Sequence, residues 1–160
     1  MLAHLRLKDT ILAEASKEDL AQAILIQEKI EGPEYGMDVL NDFEGNYQGT
    51  FVRKKLAMRS GETDKAISVI DHRFETIGCT IGENLKHIGN LDCDVLEKDG
   101  KLYVLELNAR FGGGYPFSHE AGMNTAAAYL SWMKGEKGIN RFNNYKAGLS
   151  FSKCDRLMKI

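Results

Sequence analysis

Hydrophobic and polar residues alternate along several short segments of the chain, and apolar residues recur at helical spacing in a few others. A period of two predicts half-buried β-strands, whereas repeats at three and four residues predict amphipathic helices. Strands are predicted at 25–30, 35–42, 48–56, 66–71, 91–96, 101–109 and 148–153. Helical spacing and capping residues predict helices at 16–24, 73–87 and 124–134. This mixture indicates an α+β fold with a mainly antiparallel sheet and flanking helices.

The register of the last long hairpin decides which side chains share a face, because a slip by one residue turns every side chain over. A two-residue turn at Asp99-Gly100 leaves Asp94 and Glu106 on opposite faces. A three-residue loop that also includes Lys98 places Asp92 opposite Glu106, with Asp94 diagonal to it. We expect the three-residue loop, because only that register separates the polar from the apolar side chains.

The second strand of this hairpin ends in an acid, an amide and a guanidinium on one face, namely Glu106, Asn108 and Arg110. Carboxylate and amide oxygens suit a divalent cation, and a guanidinium suits the phosphate oxygens that such a cation bridges. Asp94 on the first strand adds a second carboxylate. Asp94, Glu106 and Asn108 are therefore the predicted ligands of Mg²⁺ or Mn²⁺. Asp92 is either a further ligand or a support for the ligands.

A second group of candidate residues lies near the start of the chain. A strand that ends and turns at Gly32-Pro33 leaves backbone donors and acceptors that can pair with the rim of an adenine. Glu34 follows directly, where a carboxylate can accept hydrogen bonds from both ribose hydroxyls. Many surface strands contain Glu and Lys, so this pattern predicts a nucleotide site only together with the metal-binding strand.

With both groups in view, the chain resembles the ATP-grasp superfamily, and in particular the large subunit of carbamoyl-phosphate synthetase and related carboxylate–amine ligases. The resemblance rests mainly on Glu-Leu-Asn-Ala-Arg-Phe-Gly-Gly-Gly-Tyr-Pro at 106–116, preceded by Asp-Cys-Asp at 92–94. It implies that ATP phosphorylates a carboxylate or bicarbonate and that an amine or ammonia attacks the acyl phosphate. The family more often has proline where this chain has Ala109.

The resemblance also implies roles for individual residues. The adenine hinge falls on Glu28, Lys29 and Ile30, the ribose carboxylate on Glu34, the metal ligands on Asp94, Glu106 and Asn108, and the residue that contacts phosphate on Arg110.

A basic strand and the loop after it lie beside the phosphates in such ligases. Lys55 and Arg59 are therefore the predicted cations that stabilise the transferred phosphoryl group, although a solvated basic edge is the alternative. The segment 61–63 is predicted to be a mobile loop. The glycines at 112–114 are expected to let the backbone approach the acceptor substrate closely, and His119 is either a substrate contact or a structural residue.

Family members contact ATP from two lobes, and nothing in residues 1–16 resembles the glycine-rich flap of the upstream lobe. We therefore expect residues 1–160 to be a single partial domain, the C-terminal lobe, without the upstream lobe and the domain before it. The missing lobe or a second copy is then an expected partner, besides ATP and the carboxylate and amine substrates. The alternative is a nucleotide-binding or assembly fragment without catalysis of its own.

Composition narrows the class of protein further. Lys and Arg total 21 against 23 Asp and Glu, for a net charge of −2, which disfavours nucleic-acid binding. No apolar run is long enough to span a membrane, and the N-terminus does not resemble a secretory signal. The three cysteines lack metal-site spacing and the four histidines are scattered, so we expect reduced thiols in a cytoplasmic protein without a zinc site.

Overall fold

A computed structural model describes residues 27–156 and 158–159. The chain divides into two compact units, residues 1–30 and 31–160. The predicted helix at 16–24 lies outside the described residues, as do the first two residues of the strand predicted at 25–30. Residues 27–30 form neither helix nor strand, so for these four residues the strand prediction is wrong.

The second unit consists of one sheet with flanking helices. Its elements are β1 (Glu34–Asn41), β2 (Tyr47–Arg59), β3 (Glu62–Val69), α1 (His72–Leu85), β4 (Gly89–Lys98), β5 (Lys101–Asn108), α2 (Tyr115–Glu120), α3 (Thr125–Trp132) and β6 (Ser150–Ser152), with a 3₁₀ turn at Asn140–Phe142. The strands lie in the order β5-β4-β1-β2-β3-β6, and every pair is antiparallel. The α+β class with a mainly antiparallel sheet is thereby confirmed.

One face of the sheet packs against α1. Because side chains alternate along a strand, each of the inner strands sends every second residue to this face. The core here consists of Tyr35, Met37, Val39, Val52, Phe74, Leu91, Cys93 and Val95. α1 begins where the Asp71 carboxylate accepts a hydrogen bond from the Arg73 backbone N–H at 2.9 Å.

A second, smaller core lies under α3 and consists of Leu40, Phe51, Met123, Ala128, Trp132 and Ile139. The Asn124 side chain caps α3 by accepting a hydrogen bond from the Ala127 N–H at 2.9 Å. Gly135 follows the helix with φ of 81°, a left-handed conformation that glycine adopts without strain. The cap and the stop predicted for this helix are both confirmed.

The hairpin β2–β3 is longer and tighter than the sequence pattern predicts. Its turn consists of Ser60 and Gly61, with φ of 52° and 81°, and β3 begins at once at Glu62. Two residues with positive φ form the turn whose twist matches that of paired strands. The mobile loop predicted at 61–63 is therefore wrong, because Glu62 and Thr63 belong to β3.

The register of β4 with β5 differs from both predicted alternatives. The turn is the two-residue one, with φ of 52° at Asp99 and 75° at Gly100. A bulge between Asp94 and Val95 then shifts the ladder by one residue, so that Asp94 lies opposite Glu106 and Asp92 opposite Asn108. The expected pairing of Asp92 with Glu106 is wrong. The expected gathering of the three acids on one face is correct, because the bulge reverses the slip that the tight turn imposes.

Replacing Asp71 with Ala should destabilise the protein by about 1 kcal/mol, since the first turn of α1 loses its cap. Hydrogen bonds from Arg73 hold the pKa of Asp71 below its ordinary value. A depressed pKa stabilises the fold above the unfolded-state pKa and stops doing so as the pH falls, so the difference between wild type and variant should shrink below about pH 4. Urea unfolding at pH 7 and pH 3.5 measures both. Glu75→Ala, an exposed acid on the same helix, is the control, and an equal loss there would contradict the capping role.

Candidate functional site

The face of the sheet that points away from α1 carries a group of charged and polar residues, only some of which the sequence predicted to act. Alternation sends them to this face from four adjacent strands. They are Glu34 and Asp38 on β1, Arg53 and Lys55 on β2, Asp92 and Asp94 on β4, and Glu106 and Asn108 on β5. Cations on β2 thus lie beside acids on both β1 and β4.

A polar cavity of about 200 Å³ opens on this face. Its walls are the tip of the β2–β3 hairpin, the acids of β4 and β5, and the glycine segment that follows β5. Four predicted residues line it together, namely Lys55, Asp94, Glu106 and Arg110. Charged groups from segments far apart in sequence therefore converge on one cavity.

The floor of the cavity is a buried ion-pair network around Arg53, whose side chain is only 2% exposed. Its Nη1 donates to Asp38 Oδ2 at 2.6 Å and its Nη2 to Asp92 Oδ1 at 2.8 Å. Ser118 of α2 donates to the same Asp38 oxygen at 2.6 Å, and Asn90 Nδ2 donates to the other at 3.0 Å. Burial lowers the pKa of Arg53, but the neighbouring Asp38 and Asp92 raise it further, so the guanidinium stays charged.

Two glycines after β5 make room for this network. A Cβ at Gly114 would lie 2.2 Å from Arg53 Nε, and one at Gly112 would lie 2.1 Å from the carboxyl carbon of Asp92. The sequence reasoning assigned these glycines to a close approach of substrate. In the structure, Gly112 and Gly114 allow the backbone to approach the chain's own buried charges, and Gly113 and Gly114 also line the cavity.

Lys55 lies between two carboxylates that the sequence assigns to different parts of an ATP site. Its Nζ is 2.6 Å from Glu34 Oε1 and 2.8 Å from Asp94 Oδ1, and its side chain is 7% exposed. Burial lowers the pKa of Lys55, but hydrogen bonds to Asp94 and Glu34 outweigh that effect and raise it overall. Lys55 is therefore a charged ammonium that both acids neutralise.

Two of the predicted metal ligands, Asp94 and Glu106, line the cavity, and the third, Asn108, lies next to Glu106 without lining it. Asp94 and Glu106 are direct cross-strand partners, and Asn108 Nδ2 donates to Glu106 Oε1 at 3.0 Å. Within residues 27–156 and 158–159, no three His, Cys, Asp or Glu side chains converge on a common metal position. The predicted set needs only two carboxylates and one amide, and these hard oxygen donors fit Mg²⁺ or Mn²⁺ in kind.

Asp92 supports the site rather than pointing freely into it. Besides Arg53, its carboxylate lies 3.5 Å from Arg110 Nη1. Burial raises the pKa of Asp92, and the nearby Asp38 and Asp94 add to this, whereas Arg53 opposes it. Of the two roles left open by the sequence, the contacts favour that of a support.

Of the remaining predicted residues, Arg110 lines the cavity, whereas Arg59 and His119 do not. Arg59 is paired with Asp155 at 2.6 Å and with Asp64 at 3.1 Å near the hairpin tip, and it does not line the cavity. Arg110 is 59% exposed. His119 Nδ1 is 3.1 Å from the Tyr115 hydroxyl, which indicates a structural contact.

The predicted adenine hinge lies in the first of the two units. Glu28 and Lys29 are exposed and Ile30 is half-buried. Their role in nucleotide binding remains a prediction.

Sequence reasoning missed Asp38, Asn90 and Ser118 as parts of the site. Asp38 lies between the apolar residues Met37 and Val39, which was a usable signal, because a carboxylate at such a position requires a buried partner. The identity of that partner depends on strand pairing and was not visible in the sequence.

Residues 21–156 match the profile of a family described as "ATP-grasp in the biosynthetic pathway with Ter operon". The chain belongs to the ATP-grasp family. Its fold is accordingly of the ATP-binding, ligase type, and the resemblance found in the sequence is confirmed. No curated protein sequence matches this ATP-grasp chain significantly. None of the described helices is long and apolar enough to cross a membrane.

A solved structure of a Rhizobium etli pyruvate carboxylase variant, with the allosteric activator acetyl coenzyme A, shares the fold of this ATP-grasp chain. The TM-score is 0.55 at 17% sequence identity, over 66% of this chain and 11% of that one. At this identity the likeness concerns the fold alone. The chain thus corresponds to about a tenth of the length of that carboxylase.

Replacing Arg53 with Met should cost about 3–5 kcal/mol of unfolding free energy, because Asp38 and Asp92 would remain buried without their cation. Lys54→Met removes the same charge from the other face of β2 and should cost about 1 kcal/mol or less. Urea unfolding of both variants measures the difference. Equal losses would show that the buried network is not a main source of stability.

Proposed function

We propose that this ATP-grasp chain is the nucleotide- and metal-binding lobe of a ligase that joins a carboxylate to an amine or ammonia through an acyl phosphate. The observation that carries the proposal is the direct pairing of Asp94 with Glu106 at the rim of the polar cavity. The cations and acids around that pair support the proposal, since phosphoryl transfer depends mainly on positioning and charge neutralisation.

The metal-binding residues in this proposal are Asp94, Glu106 and Asn108. A bound Mg²⁺ or Mn²⁺ would neutralise phosphate oxygens and increase the electrophilicity of the transferred phosphorus. The chain's own contribution is to hold three oxygen donors on neighbouring positions of two paired strands. The strand pairing sets the spacing of their backbone positions.

Nucleotide and substrate contacts complete the proposal. Glu34 accepts hydrogen bonds from the ribose hydroxyls, and the backbone of residues 28–30 pairs with the adenine rim. Lys55 and Arg110 donate to the phosphoryl oxygens from the cavity wall. Arg59 joins them only if its ion pair with Asp155 opens.

The carboxylate and the amine would occupy the cavity beside the glycine segment. A volume of about 200 Å³ suits small polar substrates, and bicarbonate with ammonia, as in carbamoyl-phosphate synthesis, is one form of the reaction. An upstream lobe or a second copy would supply the remaining ATP contacts. We assign the protein to the cytoplasm, because Cys79, Cys93 and Cys154 are free thiols.

Glu106→Gln should abolish magnesium-dependent ATP binding while leaving the fold intact, because it removes one of the two negatively charged metal ligands and Glu106 is exposed. Calorimetric titration of ATP, with and without Mg²⁺, measures this. Glu83→Gln on α1, away from the cavity, is the matched control and should bind as the wild type does. Unchanged binding by Glu106→Gln, or no binding by the wild type at millimolar ATP, would contradict the proposal.

Glu34→Ala should remove the preference for ATP over 2′,3′-dideoxy-ATP. Hydrogen bonds to a charged group contribute about 1.5–3 kcal/mol each, so the wild type should prefer ATP by about tenfold or more. The ratio of the two affinities is insensitive to other effects of the substitution, such as the loss of the Lys55 contact. An unchanged ratio would show that Glu34 does not bind the ribose.

A further inference from the structure

A single ammonium group connects the two ends of the proposed ATP site. Lys55 Nζ lies within hydrogen-bonding distance of Glu34, assigned to the ribose, and of Asp94, assigned to the metal. Nothing in the sequence pattern predicts this contact, because the three residues lie on three different strands. The inference below rests on the proposed function and adds a competition between Lys55 and the metal.

The strand order explains how one side chain reaches both acids. β1 lies between β2 and β4, so Lys55 must cross it to reach Asp94. The residue of β1 that pairs with Asp94 is Gly36, and the Arg53 guanidinium fills the space where a side chain at Gly36 would lie. The ammonium of Lys55 reaches past this position, and it contacts Glu34 on β1 and Asp94 on β4.

Charge repulsion opposes the presence of the Lys55 ammonium and a divalent metal on Asp94 at the same time. The Lys55 side chain is almost fully buried, and a buried ammonium requires anionic partners. A divalent cation on Asp94 would be placed within a few ångströms of that ammonium, where like charges repel strongly. The metal and Lys55 therefore compete for the same carboxylate.

We propose that Lys55 is the resident counter-ion of Asp94 and Glu34, which a divalent metal must displace and which turns to the phosphates when nucleotide binds. Before nucleotide binds, Lys55 acts as a positioning residue. It holds the two acids in place, and its release ties metal binding to nucleotide binding. Phosphate oxygens supply the anion that Lys55 needs after it leaves Asp94, so the metal binds weakly alone and tightly with nucleotide.

The test is the affinity of the full chain for Mn²⁺ alone, measured by the loss of the free-ion electron paramagnetic resonance signal. Lys55→Met should bind Mn²⁺ at least about tenfold more tightly than the wild type, since one neighbouring charge commonly changes the proton affinity of a carboxylate by that factor or more. Lys55→Gln should behave in the same way. Lys55→Arg, which keeps the charge, should remain close to the wild type.

Two controls locate the effect. Lys54→Met makes the same change in net charge on the opposite face of β2 and should leave Mn²⁺ affinity within about twofold, as expected for a screened charge. The double variant Lys55→Met, Glu106→Gln should not show the increased Mn²⁺ affinity of Lys55→Met. Structural damage by the single substitution would lower the affinity, so a rise cannot come from a purely structural role.

Unchanged or weaker Mn²⁺ binding by both Lys55→Met and Lys55→Gln would overturn the inference. If the wild type still bound ATP with Mg²⁺ and Glu106→Gln did not, the proposed function would stand and only the role of Lys55 would fall. If Glu106→Gln bound ATP and Mg²⁺ normally, the metal assignment itself would be wrong.

Discussion

The guanidinium of Arg53 is the group around which the charged face of the sheet is organised. A buried cation is tolerated only where its charge and its N–H donors are satisfied, and Arg53 meets this need with Asp38 on β1 and Asp92 on β4. Ser118 adds α2 to the same network. One side chain thus joins two strands and a helix that lie far apart in sequence.

The glycine segment after β5 follows from that constraint. Its backbone passes so close to Arg53 and Asp92 that Gly112 and Gly114 have no room for a Cβ. The same close approach brings Gly113 and Arg110 to the cavity, beside Asp94 and Glu106. The glycine segment at 112–114, whose sequence is typical of a ligand-binding loop, therefore also packs against a buried ion-pair network.

Acids from β1, β4 and β5 and cations from β2 lie together on this face. The cations of β2 neutralise acids on β1 and β4, which keeps a dense group of carboxylates together. In the role that we propose for Lys55, its contact with Asp94 both stabilises this face and is the contact that a metal would have to break.

The sequence by itself determined the local elements and the kinds of chemistry. Periodicity predicted most strands and α1, capping residues predicted the start of α3, and Glu106, Asn108 and Asp94 indicated a hard-cation site because their side chains carry the right donors. These properties depend on residues close in sequence. The tertiary structure alone decided the β4–β5 bulge, the partner of Arg53 and the position of Lys55 between Glu34 and Asp94. Strand order and register set those contacts, and both arise from packing and pairing between distant segments, which no local pattern records.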